Sequence, residues 1–215
     1  PIDMRDKRVL VVGSGNSAMD IASELSMRFL TKELHISMRR GVWVFPKYIN
    51  GKPADKVMLP GWVPKSIQNW LMEVTAKKVI GNPKDYGLPE PTYKVWQAHG
   101  TISGEFLQRA GSGDIKGRTG IDRFEGNTVH FTDGTQSDFD VIIWCTGYKI
   151  DFPFFDQSQF KADEKNNPPK LFKRLFIPEV PNLIYMGLAQ SLPTLVNFAE
   201  QQSKLVAPYI LGEYA

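Results

Sequence analysis

Residues 7–20 read Lys7-Arg8-Val9-Leu10-Val11-Val12-Gly13-Ser14-Gly15-Asn16-Ser17-Ala18-Met19-Asp20, and the reading of the fold starts from them. Lys7 to Val12 is a short β-branched run of the kind that fills a buried strand. Gly13, Gly15 and Ala18 then satisfy the spacing G-x-G-x-x-G/A. In that spacing the first glycine permits a tight turn and the second lets a pyrophosphate approach the backbone. The small third residue lets helix and strand pack closely. Beyond the turn, Met19, Ala22, Leu25, Ser26 and Phe29 recur at helical spacing and predict a helix over residues 16–30. Leu34 to Met38 predicts a second strand, so the segment is a β-α-β unit with parallel strands and a right-handed crossover. The bland alternative is a glycine-rich turn with no ligand. A strand before the turn and a helix after it favour a dinucleotide whose negative charge faces the helix N-terminus. Gly13, Ser14, Gly15, Asn16 and Ser17 are the candidates for its pyrophosphate.

The end of the second strand decides which dinucleotide. An NAD site places Asp or Glu there, about 20 residues on, to accept hydrogen bonds from the ribose hydroxyls. Here the chain has Ser37-Met38-Arg39-Arg40, with no acid before Asp55. A carboxylate would repel a 2′-phosphate, whereas guanidinium groups bind it with charge-assisted bonds. Ser37, Arg39 and Arg40 are therefore candidates for the 2′-phosphate, and the expected cofactor is NADPH. A solvated surface pair is the competing reading of the two arginines.

Further along, residues 41–96 are irregular and rich in Pro, Gly and Trp, and read as an insertion on the sheet. Within them Ile67, Trp70, Leu71 and Val74 mark one amphipathic helix. From Ile121 a β-meander is expected: IDRFE and TVHFT flank Gly126-Asn127, and Asp133-Gly134 supplies another turn before the apolar strand FDVIIWC. Residues 156–170 read as a surface loop. NLIYMG reads as a last buried strand, followed by a helix from about Thr194 to Gly212.

Composition narrows the class. With 42% hydrophobic and 23% charged residues the chain is an ordinary globular protein, and a net charge of +3 is too small to point to nucleic acid or an anionic membrane. The single cysteine, Cys145, forbids an internal disulfide, so a reducing, cytoplasmic setting is expected. There is no CxxC, and His35, His99 and His130 lack metal spacing. No signal peptide and no apolar run of membrane-spanning length is found. The five tryptophans, Trp43, Trp62, Trp70, Trp96 and Trp144, read as core or domain-interface aromatics rather than a substrate cage. Cys145 reads as a small buried hydrophobe.

Five motifs in order along nearly the whole chain resemble the flavin-containing monooxygenases, a group akin to the Baeyer–Villiger monooxygenases. KRVLVVGSGNSAMDIA is similar to the family's second dinucleotide fingerprint, and SMRRGVWVFPK to its 2′-phosphate segment. HGTISGEFLQRAGSGDI resembles the stretch ahead of the meander, and FDVIIWCTGYKIDFPF the apolar strand ending in A-T-G-Y. NLIYMGLAQ with FAEQQSKLVAPYILG is similar to the closing strand and helix. Two departures stand out. Cys145 replaces the family's usual Ala, and neither the first FAD-binding GxGxxG nor the FxGxxxHxxxY/F fingerprint occurs in the sequence.

The resemblance implies an α/β chain: a Rossmann-like NADPH-binding domain over 1–148, with a β-meander and an irregular, helical insertion at about 41–110. Residues 149–215 would then form a C-terminal, partial segment of an FAD-binding domain. It implies that NADPH reduces FAD and that reduced flavin takes up dioxygen as a C4a-(hydro)peroxyflavin. One oxygen passes from that species to a soft nitrogen or sulfur nucleophile, or to a ketone. Thr146 and Gly147 would sit at the turn between domains, and Gly187, Gln190 and Thr194 near flavin. The implied partners are a small-molecule substrate, dioxygen, and a chain or segment carrying the first FAD motif. A general acid or base is not nominated, because the cofactors carry the chemistry. The rival readings are a stand-alone NADP(H)-binding module without catalysis and a flavin-dependent disulfide reductase, the latter opposed by the absent CxxC.

Overall fold

The first strand is a run of large aliphatic residues, and period-two alternation explains how it buries both faces. In the computed structural model β1 (Arg8–Val12) places Val9 and Val11 against one hydrophobic cluster and Leu10 against another. The structure describes residues 2–54, 57, 61–95, 97–98, 100–155, 169–189 and 195–213. Contacts divide the chain into two units, Pro1–Gly147 and Tyr148–Ala215.

In the first unit α1 (Asn16–Leu25) follows β1 and buries Ala18, Met19 and Ala22. It is shorter than the predicted 16–30, because the chain turns at Ser26, whose hydroxyl donates to the Ser23 carbonyl at 2.6 Å. β2 (Glu33–Ser37) pairs with β1 in parallel, Leu10 opposite His35 and Val12 opposite Ser37. The insertion contributes short strands β3 (Val44–Phe45), β4 (Tyr48–Ile49) and β5 (Lys52–Pro53), then α2 (Lys65–Thr75) continued by a π-helical turn (Ala76–Ile80). A 3-10 turn (Pro83–Tyr86), β6 (Thr101–Ile102) and α3 (Phe106–Gly111) complete it. The amphipathic helix forms where its spacing predicts, yet Ile67 and Trp70 are 51% and 64% exposed.

β7 (Lys116–Arg118) pairs in parallel with β2, a strand that the sequence conceals behind Lys, Gly and Arg. Three antiparallel strands follow: β8 (Ile121–Glu125), β9 (Thr128–Phe131) and β10 (Gln136–Asp138). The Asp133-Gly134 turn therefore leads into β10 and not directly into the apolar strand. That strand, β11 (Val141–Trp144), closes a parallel sheet of order β11-β1-β2-β7. One face of the sheet packs on α1 and α3 through Val9, Val11, Ile36, Phe106 and Ala110. The meander covers the other through Leu10, Val129, Phe131 and Phe139. The carboxyl ends of β1 and β2 are thus left at one edge, where open α/β sheets hold ligands.

The second unit has α4 (Leu195–Ile210) and a turn-rich segment whose expected strand is reduced to the single bridge Phe176↔Ile184. Leu175, Tyr185 and Gln202 are buried there, and Phe152 meets Tyr185 edge-on at 5.4 Å. The start of the predicted closing helix at Thr194, and much of the predicted 156–170 loop, lie outside the described residues.

Candidate functional site

Gly13 has φ +144°, a conformation that side-chain-bearing residues rarely adopt, and a Cβ there would overlap the Cys145 carbonyl. Its N–H donates to the Ser37 carbonyl at 3.0 Å, tying the turn to the end of β2. Gly15 stands at the N-cap of α1 and faces open space, so a ligand can approach its backbone. No side chain caps α1, and its first turn holds no acidic residue. The leading amides of that helix consequently have no intrahelical acceptor, and the positive end of the helix dipole is unneutralised. This arrangement accepts an anion.

A second segment braces the turn. Thr101 Oγ1 donates to the Ser14 carbonyl at 2.8 Å, and the Ile102 N–H donates to Asn16 Oδ1 at 3.0 Å. β6 is in turn held by β3, with Thr101 N–H donating to the Trp43 carbonyl at 2.8 Å. Because Asn16 Oδ1 accepts from Ile102, its Nδ2 donors are left for a ligand. Ser17 is exposed one residue on. Sequence reasoning singled out neither Thr101 nor Ile102 for this role; the HGTIS stretch was the only signal, and spacing alone does not say that it returns to the turn.

At the ribose end the structure separates the candidates. Arg39 and Arg40 are exposed and make no ion pair with any described residue. Arg39 lies beside Gly120, and the Arg40 guanidinium sits over the Tyr93 ring, 5.4 Å from its centroid. Ser37 departs from the expectation. It is 2% exposed and its hydroxyl donates to the Thr119 carbonyl at 2.7 Å, so it supports the strand end and does not reach outward to a phosphate.

Thr146 and Gly147 follow β11 and are exposed, with Gly147 at φ +96°. Cys145 is half-buried against the core of the first unit, and burial pushes its thiol up from the ordinary value, as suits an inert packing residue. Of the described tryptophans only Trp43 is buried; Trp62, Trp70 and Trp144 are exposed, so of the expected core or domain-interface positions only Trp43 takes a core one. In the second unit Gly187 has φ +76°, and its N–H donates to Gln202 Oε1 at 2.8 Å. Gln202 Nε2 donates to the Arg174 carbonyl at 3.2 Å, so this buried amide sets the Gly187 backbone. Gln190 and Thr194 lie outside the described residues.

The chain is similar to known proteins along nearly its whole length. The family model described as flavin-binding monooxygenase-like matches residues 1–214. A rat protein, dimethylaniline monooxygenase [N-oxide-forming] 2, is 35% identical over an alignment of 215 positions that covers 95% of this chain and 39% of the relative. The chain thus spans about two fifths of the length of such relatives. Among solved structures, cyclohexanone monooxygenase from Rhodococcus sp. Phi1, bound to NADP+, superposes with a TM-score of 0.55 at 13% identity, over 96% of this chain and 53% of that one. Tmm from Pelagibacter sp. strain HTCC7211 gives 0.53 at 22% identity, over 99% and 33%. At such identities the two structures establish the shared fold.

Proposed function

We propose a function from one premise: the chain belongs to the flavin-binding monooxygenase-like family. Its first unit binds NADPH for an FAD- and NADPH-dependent monooxygenase that transfers one oxygen atom of dioxygen to a small substrate. The observation that carries the reading is the uncapped N-terminus of α1 at open Gly15, combined with two exposed arginines beyond β2 that make no ion pair with any described residue. The amides and Asn16 Nδ2 hold the pyrophosphate, and Arg39 and Arg40 take the 2′-phosphate. Flavin, when bound, supplies the oxygen chemistry. What this chain contributes is the binding and orientation of the dinucleotide, with Gly13 and Thr101 fixing the turn. The N-oxide formation in the name of the 35%-identical relative supports a soft nitrogen nucleophile as substrate; a sulfur nucleophile rests on the family resemblance, and the ketone oxidation of the cyclohexanone enzyme on fold alone. The single cysteine supports a reducing, cytoplasmic setting.

Replacing Arg39 and Arg40 together by Ala tests the cofactor. The expected outcome is a loss of NADPH affinity of at least about tenfold, the scale of a lost charge-assisted contact, with NADH affinity nearly unchanged. Equal loss for both nucleotides would sink the assignment.

A further inference from the structure

We infer that Tyr93, a residue of the insertion, sets the preference of the dinucleotide site for a 2′-phosphate by holding the Arg40 guanidinium in place. The inference rests on the NADPH reading above and names a positioning residue for it.

Three contacts lay residues 89–93 along residues 40–43. Gly41 lies so close to the backbone of Pro89, Glu90 and Pro91 that a Cβ would overlap it. Trp43 Nε1–H donates to the Tyr93 carbonyl at 2.9 Å. The Arg40 guanidinium carbon stands 5.4 Å from the Tyr93 ring centroid. The ring is anchored from beneath, because Tyr93 packs on the cluster of Trp43, Ala76 and Val95, all nearly inaccessible. An exposed arginine is therefore docked on a side chain whose position the insertion core dictates.

The chemistry of that partner matters. A carboxylate would fix Arg40 as well, but it would cancel the charge and repel a phosphate. An aromatic face occupies one flat side of the guanidinium and leaves its charge and in-plane N–H donors available. Burial pushes the Tyr93 phenol above its ordinary value, so the ring stays neutral. Glu90, the carboxylate of this segment, is turned to other partners: it accepts from Asn82 Nδ2 at 2.8 Å and lies 3.7 Å from Lys84 Nζ. The segment thus presents a π face to Arg40 while its negative charge is engaged elsewhere. Pre-orienting a long side chain also removes part of the rotamer entropy lost on binding.

The test uses the full chain with Tyr93→Leu, which keeps an apolar anchor without a π face, and Tyr93→Phe, which keeps both. Affinities for 2′,5′-ADP and 5′-ADP are measured by calorimetry. Tyr93→Leu should weaken 2′,5′-ADP by about threefold to fivefold, the scale of an exposed cation–π contact, and leave 5′-ADP unchanged. Tyr93→Phe should match the wild type for both nucleotides. Equal weakening of both nucleotides in Tyr93→Leu identifies a merely structural role and overturns the inference. Wild-type discrimination retained in Tyr93→Leu overturns it while leaving the NADPH reading intact. A wild-type chain that fails to prefer 2′,5′-ADP removes the NADPH reading and the inference with it.

Discussion

Gly13 and Gly15 stand two apart in one turn, yet each is glycine for its own reason. At Gly13 the constraint is internal: a φ of +144° and the Cys145 carbonyl leave no room for a methyl group. Gly13→Ala should therefore lower stability by on the order of 3 kcal/mol, read as a shift of the urea midpoint at unchanged slope. At Gly15 the backbone is ordinary, φ −85° and ψ 177°, and the space beyond is open. Gly15→Ala should unfold near the wild-type midpoint and still lose NADPH affinity by about tenfold, because its methyl group occupies the approach of the pyrophosphate. A stability loss of similar size in both variants would contradict this division. Ser37 carries the converse lesson. Its residue type suits a phosphate, but its place on a strand covered on both faces commits the hydroxyl to Thr119.

Among the elements, the β2–β7 pair carries a charged network built around a buried histidine. His35 on β2 is 1% exposed; its Nε2 meets Glu33 Oε1 at 2.9 Å and its Nδ1 accepts from Arg118 Nε at 3.0 Å. Arg118 Nη2 also donates to Ser137 Oγ of β10 at 3.0 Å, linking sheet to meander. Burial first, and the nearby cations after it, hold His35 below its ordinary 6.5, so the neutral ring is the folded form. The folded state then binds fewer protons than the unfolded one. The stability from His35 is full above pH 6.5 and is lost as the pH falls below it. Glu33 is lowered to about 2 from an ordinary 4.5, chiefly by the Lys116 ammonium and next by the His35 hydrogen bond. Its contribution is full above pH 4.5 and is lost as the pH drops towards 2. Thermal midpoints followed against pH should fall in two stages. His35→Gln, whose amide both donates and accepts, should flatten the upper stage and spare the lower; an unchanged upper stage would show that His35 is not its source. α2 teaches a different point. Its spacing announces an apolar face, but periodicity does not say what covers that face, and within this chain Ile67 and Trp70 are exposed.

For the molecule as a whole, the test of the proposed reaction is turnover. Supplied with a chain or segment carrying the first FAD motif, and with flavin bound, the chain should consume NADPH in the presence of amines or thioethers and yield oxygenated product. NADPH consumption that only reduces an electron acceptor would count against the oxygenase reading. The sequence by itself determined the β-α-β unit, the glycine turn and the order of motifs that carries the family resemblance. These are local: strand alternation, turn chemistry and helix spacing act within a few residues. It also marked Arg39 and Arg40, because a missing carboxylate is visible in a short window. The third parallel strand stayed hidden, since Lys116-Gly117-Arg118 has no strand composition and Gly117 is set by close approach to Gly87. Only the tertiary structure decided that Thr101, 87 residues from Ser14, closes on the glycine turn, that Ser37 is buried, and that Tyr93 docks Arg40. Each of these joins residues far apart in the chain, and such contacts form only when the packing of both faces of the sheet repays the entropy of closing the intervening loops.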